Sequence, residues 1–216
     1  MGQKVNPILL RTGGIFNWKS RWFADKKSYA DNLLEDYRLR QYLDEKLANA
    51  SLVDVNIKRS ISKLTLVIEV ARPGVVIGKG GQNLEKIKSE IDHIVNASKQ
   101  KKEKSRIEIK IEEVKKPDLS AKLVAERIIS QLITRYPHRR AVKQAMEKVM
   151  GAGAKGVKIQ LSGRIAGAEI SRSEKYFEGS IPTQTLRANI DYYEKPAKTR
   201  SGYVGIKVWI YKGEIV

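Results

Sequence analysis

Cysteine is absent from all 216 residues, which excludes disulfides and thiolate metal sites. Histidine is nearly absent too, and His93 and His138 stand too far apart in the chain to suggest a metal centre. Acidic residues are scarce beside basic ones, 24 Asp+Glu against 42 Lys+Arg, for a formal net charge of +18. A compact body with that excess repels itself, and a polyanionic partner relieves the repulsion. Nucleic acid is the first candidate and an anionic membrane surface the second. Long apolar runs are missing as well. No stretch approaches the roughly 20 residues needed to span a bilayer. The opening MGQKVNPILLRTGG lacks the apolar core of about 7–15 residues that a secretion signal carries. Asn6 stands where a myristoylation signal requires Ser or Thr. A soluble protein in a reducing, cytoplasmic setting is expected, with no membrane partner, cofactor or small-molecule substrate.

What is present suffices for a fold. A hydrophobic fraction of 41% argues against wholesale disorder, and the length allows one large domain or two small ones. Residues 1–28 mix glycine, aromatics and basic side chains without usable periodicity and read as an extended basic arm. From Tyr29 the spacing turns helical, with Leu33, Leu34, Tyr37, Leu39, Tyr42, Leu43 and Leu47 recurring in threes and fours. Two alternating segments follow, Val53 to Ile57 and Leu64 to Val70, and RSISK between them suggests an antiparallel reversal. Pro73 and Gly74 end the second strand. A short apolar turn, a glycine loop, a helix bearing Leu84, Ile87, Ile91 and Ile94, the basic loop SKQKKEKSR and a strand with Ile107, Ile109 and Ile111 complete 29–116. The break at KKPDLS opens a second domain over 117–216, with Ser120 as the expected cap of its first helix. Two helices and four strand-like runs there predict two helices packed on a four-stranded sheet, an α/β two-layer domain in a chain of α+β class.

The glycine loop ARPGVVIGKGGQNLEKI has the look of a phosphate binder, and its spacing says which phosphate. A nucleotide-binding P-loop needs four residues between its first glycine and the Gly-Lys pair, then Ser or Thr. Here three residues separate Gly74 from Gly78, and Gly80 follows Lys79. GAGAKG over 151–156 matches a dinucleotide fingerprint in spacing, but it follows a helix and opens a strand, the reverse of what that site requires. It reads as a helix cap and turn. Gly78, Lys79, Gly80 and Gly81 remain, a G-x-x-G loop that lets a sugar-phosphate backbone approach closely.

In this setting the residues resemble a known family. VIGKGG and its frame look like a KH domain of the second topology, α-β-β-α-α-β. MGQKVNP, HRRAVKQAM, GAKGVKIQLSGRIAGAEISRSE and GIKVWIYKGE extend the likeness over essentially the whole chain. The chain resembles the universal family of small-subunit ribosomal protein three. That resemblance implies binding of small-subunit rRNA in the head and contact with incoming mRNA beside ribosomal proteins four and five, with proteins ten and fourteen as neighbours. It also implies a part in unwinding structured mRNA through basic residues that match Arg139, Arg140 and Lys143 here. Many relatives carry a second basic residue where this loop has Gly80.

Independently of the family, Arg139, Arg140 and Lys143 sit three and four apart, near one helix face. Val142, Ala145, Met146 and Val149 share another. The bland alternative is a solvated amphipathic face, but no acidic partner appears before Glu147. Lys4, Arg11, Arg164 and Arg172 are further expected RNA contacts. Trp18, Trp22 and Phe23 are expected to stack on bases or pack on a neighbour, and Trp209 to pack within its sheet. Glu169 and Glu174 show no partner that would make a nuclease, so no catalytic or metal-binding residue is expected. Two other functions compete: a free-standing KH regulator, which would not copurify stoichiometrically with the small subunit, and a nucleic-acid lyase, which would need a reactive lysine.

Overall fold

Alternating apolar residues and two helical stripes build the first of two structural units in the computed structural model, which describes residues 4–60, 63–96 and 106–215. The first unit is Trp18–Lys115; the second joins Lys116–Val216 to Met1–Asn17. Parts of RSISK and most of SKQKKEKSR lie outside the described residues.

In the first unit, α2 (Tyr29–Lys46) is followed by β2 (Leu52–Arg59), β3 (Lys63–Val70), α3 (Pro73–Ile77), α4 (Gln82–Asn96) and β4 (Arg106–Glu113). β3 pairs antiparallel with β2 and parallel with β4. A short β1 (Ser20–Arg21) adds a parallel edge beside β2. Ile57, Leu64, Leu66 and Ile68 from the sheet meet Leu39 and Leu43 of α2 and Ile87 and Ile91 of α4 in one core. The order is the expected α-β-β-α-α-β.

One face of α2 departs from the periodicity. Leu33, Leu34 and Tyr37 are 51–65% exposed, while Asp36 is buried. Asp36 accepts from Trp22 Nε1 at 2.8 Å and from Arg59 Nε at 2.9 Å, and Glu35 receives Arg59 at 2.7 Å. A guanidinium arriving at the end of β2 demands carboxylates, and that demand turns the first half of α2. Trp22 is thereby held internally, stacked obliquely on Tyr29, whereas Trp18 and Phe23 are exposed.

The second unit packs α5 (Ala121–Ile133) and α6 (His138–Gly151) on a sheet of order β6-β5-β8-β7. Its strands are β5 (Gly156–Gly163), β6 (Arg172–Gly179), β7 (Ala188–Thr199) and β8 (Gly202–Glu214), all antiparallel. Val124, Ile128, Val142, Val149, Ile159, Leu161, Val208 and Ile210 fill the space between helices and sheet. Trp209 packs on the other face with Tyr192, rings 5.1 Å apart. Ser120 stands at the start of α5, but its hydroxyl makes no cap bond; Asp191 of β7 accepts from Ala121 N at 3.1 Å instead. GAGAKG is a helix end: Gly153 is left-handed (φ 97°), and Ala154 N donates back to Val149 O. Beyond it, Gly156 and Gly179 face each other across β5 and β6.

The arm over 1–28 is not uniformly extended and is divided between the two units. Residues 7–10 form a helical turn, α1 (Pro7–Leu10), capped by Asn6 Oδ1 accepting from Ile8 N at 2.9 Å. Arg11 follows with 2% exposure, its guanidinium donating to the carbonyls of Pro7, Thr183 and Thr185 at 2.8–2.9 Å.

Candidate nucleic-acid interface

The glycine loop joins α3 to α4 in the first unit. Val76 is buried, which anchors α3, while Val75 and Ile77 stay exposed beside the loop. Gly78 adopts φ 70°, and a Cβ there would lie 2.8 Å from the Asn83 Cβ. Asn83 in turn donates to Val75 O at 3.0 Å, tying the first turn of α4 to α3. Gly80 and Gly81 are also left-handed, at φ 61° and 80°, with open space where a side chain would project. Lys79 is exposed between them and Gly78. The result is a fixed turn with a clear outer side, an ammonium and two exposed aliphatic residues, suited to a nucleic-acid backbone with bases laid against apolar side chains.

In the second unit, Val142, Ala145 and Val149 bury one face of α6, and Arg139, Arg140 and Lys143 are exposed. Among the described residues none of these three makes an ion pair with a carboxylate. Their helix is positioned by a contact that sequence reasoning missed. His138 Nε2, at the first turn of α6, lies 3.1 Å from Glu174 Oε2 on β6. The same carboxylate accepts from the Tyr176 hydroxyl and pairs with Arg172 Nε at 2.9 Å. Glu174 therefore does have a histidine partner, and that contact ties α6 to β6, while Tyr176 and Arg172 hold the carboxylate from its own strand. Glu174 and His138 stand 36 apart in sequence, so no local pattern announces the pair.

The Tyr176 hydroxyl, then His138 and Arg172, holds the Glu174 carboxyl below its ordinary value against the opposing effect of burial. Such a group stabilises the fold above its unfolded pKa, and the contribution disappears as pH falls through the lowered folded value. Glu174→Gln is expected to unfold at lower urea concentration than the parent at neutral pH. The gap should narrow as pH drops through the carboxylate range, in urea titrations at several pH values. A gap independent of pH would show that charge is not what Glu174 contributes.

The remaining expected contacts separate into different roles. Lys4 reaches the outer side of the sheet near Lys158. Burial, then the charges of Lys4 and Lys175, pushes the Lys158 ammonium pKa down. Lys158 also lies over the Trp209 ring, 5.2 Å from its centre. These three lysines make a positive patch that an anion would relieve. Arg164 is exposed, its Nε donating to Ala168 O at 2.9 Å. Arg172 is partly neutralised by Glu174. Arg11 leaves the set of surface contacts, because burial and its three carbonyl partners make it an internal staple. The glycine loop belongs to the first unit, and Lys4, Arg139, Arg140, Lys143, Arg164 and Arg172 to the second. Among the described residues, no cluster of three or more potential metal ligands occurs, and no helix is long and apolar enough to cross a membrane.

Comparison with known proteins gives these features a context. Residues 38–119 match the model of the KH domain, and residues 128–210 that of the ribosomal protein S3 C-terminal domain. The whole chain is 48% identical to small ribosomal subunit protein uS3 of Ligilactobacillus salivarius, covering 95% of that protein. It is 49% identical to the uS3 of Lachnoclostridium phytofermentans and 48% identical to that of Enterococcus faecalis, again over all 216 residues and 94% and 95% of those proteins.

Proposed function

Given that the chain belongs to the ribosomal protein S3 family, and is thus a small ribosomal subunit protein and not an enzyme, we propose that its second unit grips incoming mRNA at the entry to the small subunit. The first unit, on this reading, binds small-subunit rRNA in the head through Gly78, Lys79, Gly80 and Gly81. Ribosomal proteins four and five flank the entry, and ten and fourteen adjoin in the head of the cytoplasmic ribosome.

The observation that carries the reading is the exposed face of α6. Arg139, Arg140 and Lys143 project from a helix whose other side is buried and whose first turn is tied to β6 by His138 and Glu174. Cations without a carboxylate partner on a rigid element bind phosphate without prior rearrangement. Holding the phosphates of a strand just opened disfavours its re-pairing, so the device is a passive one. The energy for opening comes from the translating ribosome.

The test is Arg139→Ala with Arg140→Ala and Lys143→Ala in assembled ribosomes. Elongation should slow on messages with a stable hairpin and stay at the parental rate on unstructured messages. Equal slowing on both kinds would refute the proposal. Binding of single-stranded RNA by the protein should also lose about 0.7 units of log-log salt slope for each phosphate contact removed.

A further inference from the structure

We propose that a cleft between the end of α5 and the turn after β5 is a nucleotide pocket, which takes one unit of a single RNA strand with its phosphate on Arg135, Arg164 and Arg200 and its base against Tyr136. The proposal rests on the reading of α6 as an mRNA-binding face and extends it to a specific receptor beside that face.

The cleft has a volume of about 370 Å³, within the roughly 300–1,000 Å³ of small-ligand sites. Arg135, Arg164 and Arg200 all line it, and no carboxylate does so among the described residues. None of the three makes an ion pair with a carboxylate among the described residues either. Three uncompensated guanidinium groups around one concavity define a site for an anion, and guanidinium geometry favours the paired oxygens of phosphate. An anion alone would not need the rest of the lining. Tyr136 and Ile133 also border the cleft, 41% and 54% exposed, beside the buried Ile165. An aromatic ring with aliphatic neighbours accepts a base by stacking, whatever the base. His138 and Pro137 complete this side, and Arg139 and Arg140 follow them directly in the chain.

The backbone supplies an independent reason to regard the cleft as built. Among the described residues, the non-glycine positions with left-handed backbone are Ser51, Arg135 and Ala166, and two of these line this cleft. Arg135 (φ 61°) follows α5 where a helix end ordinarily places glycine; Tyr136 N donates back to Gln131 O at 2.9 Å. Ala166 (φ 56°) forms the turn after β5, next to Gly167 at φ 82°. Glycine would relieve the backbone at Arg135, yet only a side chain delivers a cation to the mouth of the cleft. Strain of this kind collects where a site requires it.

The test uses the full chain and a fluorescent single-stranded hexaribonucleotide, read by anisotropy. Tyr136→Ala and Arg200→Ala should each weaken binding five-fold or more. Arg135→Gly should weaken it similarly while melting no lower than the parent, which separates loss of the site from loss of the fold. A hexamer with one base removed, tried at each position, should bind the parent less tightly at one of them. Tyr136→Ala should not distinguish that hexamer from the intact one. Adenosine monophosphate that displaces the hexamer identifies a free nucleotide as a sufficient occupant, and failure to displace identifies the strand. The pocket is overturned if Tyr136→Ala, Arg200→Ala and Arg135→Gly all bind within two-fold of the parent while the Arg139, Arg140 and Lys143 triple variant loses the RNA. If the triple variant binds normally and Tyr136→Ala does not, the reading of α6 fails and the pocket stands.

Discussion

Arg59→Met lowers stability by about 3–5 kcal/mol, the loss expected when one partner of a buried ion pair is removed. The side chains of Arg59, Glu35 and Asp36 are only 10%, 13% and 5% exposed. Methionine fills much of the same volume, so the loss is electrostatic: Asp36 remains as a buried carboxylate deprived of the Arg59 guanidinium, and Glu35 loses the same contact. Asp36→Asn in the same chain removes one of those charges and keeps an acceptor for Trp22 Nε1. The double variant should therefore be less destabilised than the sum of its parts, which a double-mutant cycle in urea measures directly. Trp22 fluorescence reports the same event locally. Strict additivity would mean that the three side chains do not act as a unit.

Gly179→Val is expected to cost about 4 kcal/mol, from overpacking worth about 1–3 kcal/mol and left-handed strain worth about 1–3 kcal/mol. Gly179 adopts φ 73°, and a Cβ there would lie 2.4 Å from Lys155 O and 2.9 Å from Gly156 Cα. The obstruction is backbone, which cannot swing aside like a side chain. Gly156 has the reciprocal problem, with a Cβ 2.1 Å from Ser180 O. Valine at 179 thus pushes β6 away from β5, the strand joining that edge to β8. Thermal unfolding should show the loss, and hydrogen exchange should show it first in β5 and β6. A melting temperature unchanged from the parent would mean that the strand ends shift freely.

Much of this architecture is legible because it is local. Alternation at Leu64, Leu66, Ile68 and at Ile107, Ile109, Ile111 predicts strands, and those strands pair in register as Leu64 with Ile107, Leu66 with Ile109 and Ile68 with Ile111. The Ile87 and Ile91 stripe and the Val142, Ala145 and Val149 stripe are likewise buried. What stays hidden are the polar contacts made by residues far apart in the chain. Asp36 turns inward because Arg59 arrives from β2, and nothing between residues 29 and 46 announces that arrival. Asp191 caps α5 from 70 residues away, so Ser120, with the right chemistry in the right place, goes unused. Arg11 looks like any other basic arm residue until Thr183 and Thr185 present their carbonyls. The three arginines of the cleft come from the end of α5, the turn after β5 and the turn between β7 and β8, and Arg164 alone drew notice in the sequence.

The staple at Arg11 also orders events in time. Its guanidinium and the Thr185 carbonyl are separated by 174 residues, about 10–35 s of synthesis at about 5–20 residues per second. Residues 18–115 form a separate unit, and the ribosome delivers all of them before it reaches those carbonyls. The opening segment therefore waits, unanchored, while an entire neighbouring unit is made. When it finally seats, Thr183 and Thr185 have been made, so its docking is a timestamp that falls after the whole first unit.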